Sequence, residues 1–467
     1  MILEKIKKIV NESPNKVVYQ VDNCAITYVD LWNRASIYAD KLKRQGNRPV
    51  IIYGNKSINT FLSIISCLIA QRAYVPISLK TPVNRIEDII KLSKASLILT
   101  DTNNKLNNIE ICNLDGLNKY QDNDIFNNNN DIAYIIFTSG TTGVPKGVPI
   151  SYSNLDNFVK WISSLEPLCF YKNINVLNQA NFSFDLSVAD IYYSICNGHT
   201  LIALNNDIMD NYEKVFATIK YVNLIVATPT FIKMCLVNKE FNSNNYECLK
   251  CIYFCGESLD KNVVKELFNR FNDIKIINAY GPTEATSAVC AININCNMLD
   301  YDLLPVGNIT NSATNITVEN DEIILKGKSV FCGYLNNIKG GYYKEDNINC
   351  YKTGDIGYID NNLLFCKGRL DSQIKYKGYR IELNDIESNI KKISGVNDSV
   401  VIPLYNNNVV KSIKAYVTVC DKINTIYIRK ELEKLIPSYM IPKTISIIDT
   451  IPINENGKID RKKLNEL

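Results

Sequence analysis

From about residue 50 to about residue 280, short apolar runs alternate with stretches whose apolar positions recur at helical spacing. The runs at 50–53, 96–100, 132–137, 176–179, 224–227, 251–255 and 275–279 read as strands. The segments 60–70, 155–163, 186–196, 212–221, 231–237 and 260–271 read as helices. Strand and helix in turn imply an α/β fold with parallel sheets and helices on their faces, and in such sheets ligands sit at the C-terminal ends of the strands. Three polar segments follow strands in that way, at 138–147, 255–257 and 280–284.

The pattern changes at about residue 285. Short strands separated by Gly and Asn turns, at 315–319, 322–326, 358–360 and 363–366, predict an antiparallel β subdomain. Helices at 384–393 and 428–436 and strands at 399–403 and 413–419 follow. A boundary at Asp371 is expected, dividing a large N-terminal domain, 1–370, from a small α+β domain, 371–467. A chain of 467 residues exceeds one ordinary core, so two or three domains fit its length.

Composition narrows the function classes. Lys and Arg total 52 against 48 Asp and Glu, a balance that gives no reason to propose a nucleic-acid surface. The best apolar run, 61–70, is too short to span a bilayer and holds Ser63 and Ser66, so no membrane insertion is expected. The N-terminus has no signal-peptide pattern, and a cytoplasmic location is expected. Fifteen cysteines form no evident framework and read as reduced, mostly buried thiols. The single histidine, His199, lies in Asn197-Gly198-His199-Thr200 and reads as a turn residue. Chemistry on this chain therefore falls to lysine, carboxylates, hydroxyls and a metal ion.

The densest chemistry is Thr138-Ser139-Gly140-Thr141-Thr142-Gly143-Val144-Pro145-Lys146-Gly147, straight after an apolar strand. Glycines let backbone N–H groups turn inward, hydroxyls add donors and lysine adds charge, which suits a polyanion. The segment does not fit the G-x-x-x-x-G-K-[ST] phosphate loop. Four further segments stand out: Asn278-Ala279-Tyr280-Gly281-Pro282-Thr283-Glu284-Ala285-Thr286, Tyr351-Lys352-Thr353-Gly354-Asp355 with its acid placed in a turn, Gly368-Arg369-Leu370-Asp371, and Asn456-Gly457-Lys458-Ile459-Asp460-Arg461.

In this order, together with Ala73-Tyr74-Val75-Pro76-Ile77 and Gly378-Tyr379-Arg380-Ile381-Glu382, these segments resemble the adenylate-forming enzymes, over essentially the whole chain. The resemblance implies ATP and Mg²⁺. Thr138, Ser139, Gly140, Thr141, Thr142, Gly143 and Lys146 would hold the β- and γ-phosphates, and Asn278 and Gly281 would also belong to the ATP site. Tyr280 would stack on adenine, Thr283 would meet the α-phosphate and Glu284 would hold Mg²⁺. Asp355 would accept the ribose hydroxyls, and Arg369 would support ribose and phosphates. Lys458 would bridge the attacking carboxylate and the α-phosphate. The family also implies a hinge at Asp371 and a thiol path past Gly378.

Asn181-Phe182-Ser183-Phe184-Asp185-Leu186-Ser187-Val188 bears on the substrate. Asp185 opens a helix, so it reads either as an N-cap or, as in amino-acid-activating members, as the partner of the substrate ammonium. Segments 182–188, 228–236 and 254–257 resemble the D-alanine–carrier protein ligases within that branch. Leu186, Ala189, Val226, Tyr253, Cys255, Ala279, Ser287 and Ala288 are the expected pocket, and Ala189, Tyr253, Ala279 and Ser287 depart from the D-alanine pattern. Cys255 reads equally as pocket floor or as a buried thiol. The expected reaction is activation of D-alanine or another small amino acid and its transfer to a separate phosphopantetheinylated carrier protein. Alternatives are a peptide-synthetase adenylation enzyme with another amino acid, an acyl-CoA synthetase, and a degenerate nucleotide-binding module.

Overall fold

A computed structural model describes residues 2–100, 110–113, 131–140, 143–338, 340–406, 409–420, 423–452, 459 and 463–464. The chain forms two compact units. One comprises Met1–Leu79, Lys91–Ile136 and Gly147–Gly368; the other comprises Lys80–Ile90, Phe137–Lys146 and Arg369–Leu467.

The first unit is built on three sheets. An eight-stranded sheet runs, edge to edge, Cys290–Ile294, Lys275–Tyr280, Cys251–Phe254, Leu224–Ala227, Asn175–Asn178, Thr200–Ala203, Val17–Val21, Cys24–Thr27. Its interior pairings are parallel, and its two edge strands pair antiparallel. Leu224–Ala227 and Cys251–Phe254 are buried at every position, which is why their sequences are continuous apolar runs rather than alternations. Successive residues feed opposite cores. Cys251 and Tyr253 join the cluster that includes the helix Leu186–Cys196, while Ile252 and Phe254 join the cluster on the other face. The second sheet orders Glu110–Asn113, Leu97–Thr100, Val50–Tyr53, Tyr74–Ile77, Ile132–Thr138 and Lys146–Ser151.

The β subdomain holds the third sheet, of Gly307–Asn308, Leu363–Arg369, Ile348–Asp360, Glu322–Lys326 and Asn315–Glu319, with Tyr342–Glu345 beside Ile348–Asp360. Here the structure corrects the sequence reading. Residues 351–355 are not a turn, and 358–360 is not a separate strand. One strand runs from Ile348 to Asp360, and the glycine signal marks a bulge in it. Gly354 takes φ +72°, and its N–H donates to Glu322 Oε1 at 2.9 Å where the pairing with Glu322–Lys326 shifts register.

The second unit has its own apolar core, including Ile381, Ile386, Val401, Ala415, Ile428 and Met440. A hairpin, Gln373–Tyr376 with Tyr379–Glu382, leads into the helix Leu383–Ile390. Strands Val396–Asn406, Val409–Val419 and Thr444–Ile447 form a sheet beside the helix Thr425–Glu433. Segment 80–90 is tied to this core by Arg85, whose guanidinium meets the Asp385 carboxylate at 3.0 Å with both side chains buried.

Candidate active site

Asp185 occupies the N-cap position of the helix Leu186–Cys196 but makes no cap hydrogen bond. Its backbone is already helical, at φ −63° and ψ −21°, so the carboxylate does not reach back over the first turn. Instead Asp185 Oδ2 accepts the Thr283 hydroxyl at 2.5 Å. Thr283 and Glu284 lie in a short turn, Thr283–Ala285, that follows the strand Lys275–Tyr280. The chain leaves that turn through Thr286 and Ser287, both at positive φ. A Cβ at Gly281 would lie 2.5 Å from Ala288 Cα, so the close return of this turn demands glycine.

Glu284 is 2% exposed, and its Oε1 accepts the Tyr334 hydroxyl at 2.5 Å. Tyr334 in turn lies 3.1 Å, oxygen to oxygen, from the Tyr351 hydroxyl. Asp355 is also 2% exposed, and its Oδ2 accepts the Tyr280 hydroxyl at 2.6 Å. Burial, followed by the Asp355 charge, pushes the Tyr280 phenol well above its ordinary pKa. Thr353 Oγ1 accepts the Asp355 N–H at 3.0 Å and donates to Ile323 O, fixing the acid on its strand. Asn278 donates its side-chain amide to Pro305 O at 2.8 Å and braces the same region from behind.

The expected pocket residues share one face of the eight-stranded sheet. Leu186, Ala189, Val226, Tyr253, Cys255, Ala279 and Ala288 belong to a single buried cluster, and Val226 pairs in register with Tyr253. The Cys255 thiol donates to Ser287 O at 3.7 Å. The hydroxyls of Tyr253 and Ser287 are buried without a partner among the described residues.

In the second unit the expected phosphate loop meets the segment 380–385. The strand Ile132–Thr138 delivers Ser139, whose hydroxyl donates to Arg380 O at 3.0 Å and accepts the Glu382 N–H at 2.9 Å. The Gly140 N–H points to Asp385 Oδ2 at 3.4 Å, Gly143 takes φ +77°, and Lys146 Nζ lies 3.5 Å from Glu382 Oε1. Carboxylates thus stand at donors expected to meet phosphate oxygens. Arg369 grips Asp371 through two contacts of 2.7 Å. Burial pushes the Asp371 carboxyl up, but the Arg369 hydrogen bond and charge outweigh it and hold it below the ordinary range. Lys377 and Gly378, both at positive φ, close the hairpin. Thr141, Thr142 and Lys458 lie outside the described residues.

The sequence matches the AMP-binding enzyme family over residues 6–335. The chain belongs to that family. Among similar AMP-binding enzymes, the D-alanine–D-alanyl carrier protein ligase of Listeria monocytogenes serovar 1/2a is 36% identical, covering 99% of this chain and 98% of that protein. The protein of the same name from Staphylococcus epidermidis is 35% identical, covering 100% and 99%. Among solved structures, the Vibrio cholerae adenylation domain AlmE in complex with glycyl-adenosine-5′-phosphate superposes with TM-score 0.85 at 21% identity, covering 100% of this chain and 98% of that one. An o-succinylbenzoate CoA synthetase from Bacillus subtilis gives TM-score 0.80 at 19% identity, covering 99% and 98%. These two structures share the fold.

Sequence reasoning missed Tyr334 and Tyr351. They lie in Gly333-Tyr334-Leu335 and at the head of Tyr351-Lys352-Thr353-Gly354-Asp355, and the composition around them is ordinary for a β subdomain. Only the tertiary fold brings the Tyr334 hydroxyl to Glu284 and the Tyr351 hydroxyl to Tyr334.

Proposed function

We propose that this AMP-binding enzyme activates a small amino acid, D-alanine or a close analogue, and passes it to the thiol of a separate phosphopantetheinylated carrier protein. The observation that carries this reading is Asp185, a buried carboxylate held 2.5 Å from the Thr283 hydroxyl and next in sequence to Leu186 of the apolar cluster that the expected pocket residues form. A buried acid beside the expected α-phosphate position suits a substrate that brings its own ammonium. The near full-length likeness to D-alanine–D-alanyl carrier protein ligases supports the same substrate class.

In the first half-reaction a substrate carboxylate oxygen attacks the α-phosphorus of ATP. The new P–O bond forms as the bond to pyrophosphate breaks, giving aminoacyl-AMP. Asp185 holds the ammonium, Thr283 donates to an α-phosphate oxygen, and Asp355 accepts the ribose hydroxyls, with Tyr280 against the adenine. Ser139, Gly140, Gly143, Lys146 and Arg369 answer the phosphate charge, and Lys458 neutralises charge building between the carboxylate and the α-phosphorus. Glu284 is an oxygen donor of the hardness Mg²⁺ selects, its geometry fixed by Tyr334; Mg²⁺ there would neutralise phosphate charge. In the second half-reaction the carrier's sulfur attacks the acyl carbon and AMP leaves. We assign residues 371–467 to a lid that turns about Asp371 between the halves and passes the pantetheine arm beside Gly378. Among the described residues no helix is long and apolar enough to cross a membrane. A supply of ATP and a set of free thiols fit a cytoplasmic setting.

One observation favours a second substrate. The Tyr253 and Ser287 hydroxyls, without partners among the described residues, suit an amino acid whose side chain forms hydrogen bonds. Amino-acid-dependent ATP–pyrophosphate exchange across D- and L-forms of alanine, serine and larger residues tests both readings. Preference for D-alanine supports the first and preference for D-serine the second. Exchange only with L-residues overturns the first, and exchange only with a fatty acid overturns both.

A further inference from the structure

Lys56 lies in the turn between the strand Val50–Tyr53 and the helix Ile58–Ala70, and it is 4% exposed. The turn around it is pinned. Asn55 Oδ1 accepts the Lys56 N–H at 2.8 Å and the Asn206 N–H at 3.3 Å, and the Ser57 hydroxyl caps the helix by accepting the Thr60 N–H at 3.0 Å. From this anchor the ammonium donates to Asn178 O at 2.9 Å and to Gln179 O at 2.6 Å, at the C-terminal end of the strand Asn175–Asn178. Asn178 then turns its side-chain amide to both carboxylate oxygens of Asp190, each at 3.0 Å, leaving its own Oδ1 without a partner among the described residues. Asp190 is 0% exposed and sits in the helix Leu186–Cys196.

Residues 180–185 bridge that strand end and that helix, and the bridge closes on Asp185. The strand end and the helix that flank it both connect to Lys56, the first directly and the second through Asn178. The bridge has bonds of its own, Phe184 N–H to Asn181 O at 2.9 Å and the Ser187 hydroxyl to Phe184 O at 2.7 Å, and it is held at its two ends by the Asn178 amide, which donates to Ala180 O at 3.4 Å, and by the Thr283 hydroxyl on Asp185. A buried ammonium is a poor device for stability alone, because an apolar side chain of similar volume is often neutral or stabilising in its place. Burial drives the Lys56 pKa down to about 7, against the pull of Asp190, so the group is held at a cost.

We propose that Lys56 is a positioning residue for amino acid activation: its ammonium, through Asn178 and Asp190, holds the 180–185 bridge in the register that sets Asp185 against the substrate ammonium. The proposal rests on the reading of Asp185 given above.

The test is amino-acid-dependent pyrophosphate exchange by the full chain carrying Lys56→Met, with Lys56→Gln and Asp190→Asn as independent variants that keep most of the side-chain volume. Expected is a KM for the amino acid raised roughly tenfold to a hundredfold, the scale set by a displacement of about 1 Å at a binding group. The KM for ATP is expected to stay unchanged, kcat to stay within a few-fold, and the melting temperature of Lys56→Met to stay equal or rise. Lys56→Gln, which keeps one donor group, should fall between wild type and Lys56→Met. A lowered melting temperature with an unchanged amino acid KM in the variants that fold would make Lys56 purely structural and overturn the proposal. Failure of the wild-type chain to exchange with any amino acid would instead overturn the reading of Asp185.

Discussion

Asp185 combines two features: it makes no cap hydrogen bond, and it is buried against a hydroxyl. Replacing it with Ala should raise the amino acid KM by roughly thirtyfold or more, since a buried charged hydrogen bond is worth about 2–5 kcal/mol. The KM for ATP should change little, and equal losses for both substrates would point to a structural role. His199 shows the limits of residue identity as a guide. Its setting in Asn197-Gly198-His199-Thr200 reads as a turn, but the turn is Asn197–Gly198 and His199 follows it, its ring buried against Tyr193 with centroids 5.0 Å apart. Neither ring nitrogen has a partner among the described residues, and burial, aided by the Lys16 charge, lowers its pKa to about 4. The unfolded chain therefore binds a proton that the folded chain refuses between pH 6.5 and about 4. Stability is fully present above pH 6.5 and is lost as pH falls through this window, by on the order of 3 kcal/mol. His199→Phe should flatten that stretch of the unfolding–pH curve, and an unchanged slope would assign the acid sensitivity elsewhere.

At the scale of elements, the sequence periodicity located the parallel strands well, because a strand buried on both faces must be apolar throughout, as in Leu224–Ala227 and Cys251–Phe254. It misread 351–355 because a glycine signals equally a turn and a bulge. Which one forms depends on whether a partner strand lies alongside, here Glu322–Lys326. The helix Leu383–Ile390 carries a comparable long-range fact in Asp385, which is separated from Arg85 by 300 positions and bonded to it at 3.0 Å. Asp385→Ala would leave the buried guanidinium without its carboxylate and should destabilise the unit by about 3–5 kcal/mol. A drop in melting temperature checks this, and an unchanged one would mean that the pair is replaceable by solvent.

At the scale of the whole molecule, the two half-reactions should separate by mutation. Lys458→Ala should lower aminoacyl-AMP formation by about a hundredfold or more while ATP binding survives, as expected for charge stabilisation made mainly in the transition state. Equal losses in both would make the lysine structural. Gly378→Leu should spare pyrophosphate exchange and lower transfer to a phosphopantetheinylated carrier by roughly tenfold or more, because it adds bulk on the expected thiol path at a position of φ +85°. Loss of exchange as well would show that the hairpin itself had failed.

The sequence by itself determined the layered α/β class, the succession of strands and the chemical inventory, because periodicity and local motifs are written in neighbouring residues. It also placed Asp185, Thr283, Glu284 and Asp355 as reactive candidates. Only the tertiary structure decided what each one touches. Thr283, rather than the helix N-terminus, holds the Asp185 carboxylate, Tyr334 became the partner of Glu284, and Lys56 was tied to Asn178 across 122 positions. Those contacts depend on how sheets stack and strands pair, and a long separation along a chain does not fix separation in space.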